Sequence, residues 1–254
     1  MPGLSGLSTP AAGVLAVLDR LVRDDLADLL LGSRCVGCAR AGRALCRDCA
    51  PELDRPAFRT APVPAPPGLP PVWAVAAYDG VAREALLAHK DRGRTSLVGP
   101  LGRALAVAAT AAGSAPFLVP VPSARGTVRR RGYDPLLRIS RRAAATVRGN
   151  GGATYVCPAL AVVRPVADQA GLDAAGRQAN LRDAFEVRRR FVPVLAERNV
   201  VLVDDVMTTG VTLVEATRAL QRTGVRVVAA AVVAATRRRG PDGVRFRPDG
   251  VPTY

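Results

Sequence analysis

Lysine, histidine and aromatic rings are what this chain of 254 residues has least of: one lysine, one histidine, five Phe, four Tyr and one Trp. A single histidine, His89, excludes a cluster of imidazole metal ligands. So few rings give no obvious platform for stacking successive nucleic-acid bases. With Lys90 the only lysine, arginine carries the formal net charge of +15. That balance attracts phosphate-bearing partners, whether a small ligand or a nucleic acid. Apolar runs long enough to span a bilayer are missing too. The stretch 13–31 is broken by Asp19, Arg20, Arg23, Asp24, Asp25 and Asp28, and reads as an amphipathic helix with Val14, Leu18, Leu21 and Leu29 on one side. Gly113, Pro116, Pro120 and Pro122 interrupt the alanine-rich run 104–122. Without a basic leader or a spanning run, the expectation is a soluble, cytoplasmic chain with no membrane insertion.

The cysteines are few but ordered. Cys35, Cys38, Cys46 and Cys49 form two CxxC pairs, and Cys157 stands alone far downstream. Paired knuckles of this kind fold around one tetrahedral ion, and with four thiolates no open coordination position remains. The site is expected to hold structural Zn²⁺. Two disulfides are the alternative, disfavoured without a secretory signal. Gly37 and Gly42 are expected to relieve the tight knuckle backbone, and Cys157 to be a buried core thiol.

Texture divides the chain into an N-terminal helix and four-cysteine module (1–54), a proline-dense, extended linker (55–71), a larger domain (72–240) and a tail (241–254). Within the larger domain, 72–78, 117–122, 200–205 and 225–235 read as strands. Residues 81–90, 98–112, 134–147 and 211–223 read as helices. Alternation of this kind predicts an α/β fold with a mostly parallel sheet flanked by helices.

The segment VLVDDVMTTGVTL (201–213) carries the most chemistry. Val200–Val203 is a continuous apolar run, as for a strand buried on both faces. Asp204 and Asp205 then fall at its carboxyl end, where parallel sheets bind ligands. Val206, Met207, Thr208, Thr209, Gly210, Val211 and Thr212 follow as a loop opening into a helix. Backbone N–H groups and threonine hydroxyls there can converge on a phosphate, with Gly210 allowing close approach. Two carboxylates beside a phosphate cradle suit ribose hydroxyls, which donate to them. The plainer alternative is a helix-capping turn whose acids only favour the dipole. No GxxxxGK[ST] loop occurs anywhere in the chain.

The order of apolar strand, two acids, two threonines and glycine resembles the 5-phosphoribosyl-1-pyrophosphate (PRPP) motif of type I phosphoribosyltransferases. Four further segments occur in order with it: the four-cysteine knuckle, YDGVAREALLAHKDRG (78–93), VPVPSARGTVRRRGYD (119–134) and DQAGLDAAGRQANLRDAF (168–185). Together they resemble the ComF family, bacterial competence-associated proteins with a phosphoribosyltransferase domain, over about Leu30 to Thr236. Members commonly read RGFNQ where this chain has Arg131-Gly132-Tyr133-Asp134-Pro135, an acid and a helix-starting proline in place of the amides.

The resemblance implies a type I phosphoribosyltransferase-like fold with a small N-terminal zinc-knuckle module, and PRPP as ligand with Mg²⁺. It implies that Asp204 and Asp205 serve catalysis and that 206–212 bind phosphate. Arg125 and Arg131, among the arginines of 125–131, suit the pyrophosphate group; a basic turn or a nucleic-acid surface is the alternative. Lys90 is a further phosphate candidate, though a cation ending a helix also complements its dipole. Residues 164–185 resemble the loop that covers the site in this fold, with Gln169, Arg177 and Asn180 as candidate contacts. Two functions stay open: transfer of a phosphoribosyl group to an unidentified acceptor in a protein of DNA uptake, or non-enzymatic single-stranded-DNA binding with PRPP as a regulatory ligand. Competence or DNA-processing proteins are the expected partners.

Overall fold

A computed structural model of the protein describes residues 33–113, 117–123, 128–129, 131–164 and 183–236. The helix expected over 13–31, Arg125, Arg130, Gln169, Arg177, Asn180 and the arginines 237–239 lie outside the described residues. The main sheet is built from β1 (Phe58–Thr60), β2 (Val72–Ala77), β3 (Phe117–Pro120), β4 (Tyr155–Val156), β7 (Asn199–Met207) and β8 (Arg226–Ala235). They lie side by side in the order β1-β2-β8-β7-β3-β4. β1 runs antiparallel to β2, and every other pair is parallel. A separate antiparallel pair joins β5 (Leu160–Val162) to β6 (Phe185–Val187). The helices are α1 (Gly80–Lys90), α2 (Val98–Ala111), α3 (Pro135–Gly149), α4 (Val192–Leu195) and α5 (Val211–Gln221). This is the mixed α/β architecture, with a mostly parallel sheet, that the alternation predicts.

The elements form for local reasons. Val200, Val201, Leu202 and Val203 are each 0% exposed, because β7 sits between β3 and β8 with helices above and below. Burying each such side chain contributes about 1.5–3 kcal/mol. α2 buries Leu101, Ala104, Leu105 and Ala108, spaced for one helical face. Its neighbour α3 comes so close that a Cβ on Gly102 would lie 2.4 Å from Arg142 Cγ. α3 starts at Pro135 because Asp134, its N-cap, accepts from the Leu137 N–H at 3.1 Å, and proline needs no partner in the first turn. The acid and proline that depart from the RGFNQ pattern thus begin a helix.

Two expectations need correction. β7 does not stop at Asp205 but continues through Met207, so the turn before α5 shortens to residues 208–210. The cause is β8, which stays paired with β7 as far as Met207 and Ala235. β3 leaves at Pro120, opposite Val203. Residues 55–71 are also more than a spacer. Residues 58–60 supply the antiparallel edge strand, and Pro62 and Leu69 pack against Gly210.

The cysteine module shares the main core: Ala44 and Leu53 are buried in the same cluster as the sheet residues. Gly42 does take the left-handed backbone expected of it, at φ 117°. Gly37 is needed for space. A Cβ there would meet Val81 Cγ2 of α1 at 2.7 Å and Cys49 Sγ at 2.8 Å. Among the described residues no helix is long and apolar enough to cross a membrane.

Candidate functional site

The two acids sit where β7 has lost one neighbour. From Asp204 onward the strand is paired, among the described residues, only with β8, at the carboxyl end of the sheet. Adjacent strand residues face opposite ways, and the two acids accordingly have different partners. Asp204 Oδ1 accepts the Asp205 N–H at 2.8 Å. Asp205 Oδ2 accepts from Lys90 Nζ at 2.7 Å, across from the last residue of α1. Burial, joined by the neighbouring Asp205 charge, pushes the Asp204 carboxyl well above the usual carboxylate range, and Lys90 only partly offsets this. Attraction to Asp205 raises the Lys90 ammonium despite its burial. Lys90 therefore does more than complement the dipole of α1.

Neither acid caps α5. The N-cap is Gly210, left-handed at φ 75°, and among the described residues no side-chain cap bond is made to the first turn. These donors have no partner inside the helix, and the helix dipole adds positive potential at the same place. Thr208 is exposed, Thr209 and Thr212 half-buried, and Val211 buried. Val206 belongs to β7, and Met207 is a core residue whose carbonyl accepts the Thr236 N–H at 2.9 Å. The capping-turn alternative fails on this geometry: the acids are strand residues, held by Lys90 and by their own backbone.

Beyond Lys90 opens a cleft of about 400 Å³ lined by Lys90, Asp91, Arg92, Gly93, Arg131 and Tyr133. Arg131 is held by Asp91 at 2.7 Å and Arg92 by Glu84 at 3.2 Å. Each of the three cations faces one carboxylate, with Asp205 the partner of Lys90; Asp205 and Glu84 stand outside the lining, which itself carries three cations to one acid. Tyr133 donates from its hydroxyl to the His89 carbonyl at 3.0 Å, and Arg138 lies 4.2 Å over its ring. His89 is 2% exposed. The role of Tyr133 was not legible as a site signal, since tyrosine beside an arginine run has no distinctive spacing.

At the opposite end of α1, the sulfurs of Cys35, Cys38, Cys46 and Cys49 all lie within 4.8 Å of one another. Zinc–sulfur bonds of about 2.3 Å in a tetrahedron require sulfurs about 3.8 Å apart, so the set fits one structural ion. All five cysteines are free thiols, and Cys157 is buried as expected. Burial would raise the Cys35 thiol. N–H groups of Cys38, Cys46 and Gly37 outweigh that and bring it down to about 6, toward the thiolate a metal needs.

A family model for the phosphoribosyl transferase domain matches residues 75–244, from within β2 to beyond β8. The chain belongs to the phosphoribosyltransferase domain family. No curated protein matches it. The match takes in α1, the acid pair, the α5 turn and the positive cleft, and leaves the cysteine module outside. A phosphoribosyltransferase domain thus carries a four-cysteine metal knuckle docked on its first helix.

Proposed function

We propose that the chain binds PRPP at the end of β7 and transfers its phosphoribosyl group to an acceptor with loss of pyrophosphate. The observation that carries this is the pairing of two carboxylates at the end of β7, each with one oxygen bonded and a second beside it, with a helix N-terminus that opens on Gly210. The first-turn N–H groups of α5, with Thr208, Thr209 and Thr212, take the 5′-phosphate. The cleft with Lys90 and Arg131 takes the pyrophosphate, whose oxygens match ammonium and guanidinium donors. Positive charge developing on the ribose ring is stabilised by Asp204 and Asp205. Among the described residues the one cluster of metal-ligand type is the cysteine set. This suits Mg²⁺ that arrives with PRPP, keeps much of its water and neutralises the leaving group. Zn²⁺ in the knuckle is structural, and the resemblance of the five motifs to ComF proteins supports a role in handling incoming DNA. Calorimetric titration of PRPP with Mg²⁺ tests the reading: saturable binding is expected, and its absence refutes it.

A second reading has its own support. The exposed face of α3 carries Arg138, Arg141 and Arg148, and the helix contains no acidic residue. A single-stranded nucleic acid would find backbone charge matched there, with PRPP acting as a regulatory ligand. Oligonucleotide binding that falls with salt, in a protein that turns over no PRPP, would favour it.

A further inference from the structure

His89 is the chain's only histidine, and the chemistry proposed above does not use it. It nevertheless occupies a junction. Its Nδ1 lies 3.3 Å from the Arg94 carbonyl, and its Nε2 lies 3.2 Å from the Pro135 carbonyl. Its own carbonyl receives the Tyr133 hydroxyl. In either tautomer one ring N–H donates, so the ring bonds the turn that follows α1 or the first residue of α3 and packs against the other, while the Tyr133 hydroxyl joins the end of α1 to the segment before α3. The groups lining the positive cleft, Lys90, Asp91, Gly93, Arg131 and Tyr133, stand on the three segments so joined.

The junction extends to the cysteine module. Arg94 Nη1 donates to the Arg34 carbonyl at 2.8 Å, one residue before Cys35, and the Arg94 N–H donates to Ala88 at 3.0 Å. A continuous series therefore runs from the knuckle through Arg34, Arg94 and His89 to Pro135 and Tyr133. The opposite end of the same helix touches the module as well, where Val81 fills the space beside Gly37. α1 is fixed to the knuckle at its start and, through Arg94, near its end.

We propose that Arg94 and His89 are positioning residues: they hold Lys90, Arg131 and Tyr133 at fixed spacing against the metal knuckle, and so set affinity for the pyrophosphate half of the ligand. Neither touches the ligand. The proposal rests on the PRPP reading of the site and deepens it. It assigns the cysteine module a role in binding, beyond bulk stability, through a route that meets the ribose contacts only at the Lys90–Asp205 pair and leaves the 5′-phosphate contacts on α5 aside. Those contacts hang on the β8 pairing and on Gly210, which neither residue meets.

The test uses the full chain with Arg94→Ala, Arg94→Lys and His89→Gln. Binding of PRPP, of pyrophosphate with Mg²⁺, and of ribose 5-phosphate is measured by calorimetry, with zinc content followed by elemental analysis. Arg94→Ala and His89→Gln are expected to weaken PRPP and pyrophosphate about three- to tenfold, the effect of one lost hydrogen bond. Ribose 5-phosphate affinity and zinc content should stay at wild-type levels. Arg94→Lys, which still presents an N–H donor to the Arg34 carbonyl, should recover most of the loss. Wild-type pyrophosphate affinity in both weakened variants overturns the relay while leaving the PRPP site standing, and so does an equal loss for ribose 5-phosphate. A wild-type protein that binds no PRPP overturns both.

Discussion

Replacing Asp204 and Asp205 separately by Asn should split stability from binding, because the two acids stand in different surroundings. Asp204 is forced toward its protonated form by burial and by Asp205. A group whose folded pKa is raised above its unfolded value costs stability once pH exceeds the unfolded value, and that cost fades as pH falls through the folded one. The ligand-free protein should therefore gain stability as pH is lowered from neutral toward the acid range, until other carboxylates begin to protonate. Asp204→Asn removes the penalty and keeps an oxygen for the Asp205 N–H, so its melting temperature at neutral pH should rise. Each kcal/mol recovered is worth about 2–4 °C in a chain of this size. Asp205→Asn instead breaks the ion pair with Lys90, whose side chain is 44% exposed. Solvent screening keeps that loss to about 0–1 kcal/mol. Binding should respond differently. Asp205→Asn loses a charged acceptor for a ribose hydroxyl, about 1.5–3 kcal/mol, or tenfold and more in PRPP affinity; Asp204→Asn, which replaces a carboxyl already pushed toward its neutral form, should lose less, about 0.5–1.5 kcal/mol. Differential scanning fluorimetry across pH and calorimetric titration of PRPP with Mg²⁺ read both quantities. An Asp204→Asn protein that melts lower than wild type, or binds PRPP as tightly, would refute the reasoning.

Chelation of the knuckle metal should lower the melting temperature of the whole chain, because Ala44 and Leu53 belong to the common core; structural zinc in finger peptides is worth about 10–16 kcal/mol, and a chelator-treated protein with unchanged melting and proteolysis would contradict it. Gly210→Ala should cost about 1–2 kcal/mol from its left-handed backbone, with added crowding from Leu69 Cδ1 at 3.0 Å, and should weaken phosphate binding in an isothermal titration. Replacing Arg129 and Arg131 by Ala, or Arg138, Arg141 and Arg148, maps any nucleic-acid contact: the set that touches phosphates should flatten the salt dependence of oligonucleotide binding by about one unit per lost contact.

The sheet order and the site were legible to different degrees, for physical reasons. The run Val200–Val203 ahead of two acids signals a strand buried on both faces, since only such a strand lacks alternation. The four cysteines carry their own spacing. The end of β7 was not legible, because it depends on where β8 and β3 stop, and neither partner is local in sequence. The pairing of Lys90 with Asp205 hid for the same reason: a helix end and a strand end far apart in the chain meet only in the fold. Gly210 was recognised, with half of its reason. A ligand-facing approach was expected, whereas the structure adds Leu69 from a segment that composition marks only as proline-rich. His89 gave no sign at all of its two carbonyl partners, because backbone acceptors leave no trace in sequence.

The place of β8 has a consequence for how the chain is made. It is the last strand in sequence among the described residues, yet it lies between β2 and β7, pairing Ala74 with Val232 on one side and Val203 with Ala231 on the other. A ribosome-bound chain that has emerged only as far as α5 has every other strand of the sheet but no means of joining β2 to β7. Its alanine-rich helix α2 then has no sheet strand β8 to cover. Synthesis must run past Ala235 before the two halves close, and the turn at Gly210 takes its final setting in the same step. Chains cut short after α5 lack the strand that joins the two halves, and are expected to be cut by proteases more readily than the full chain.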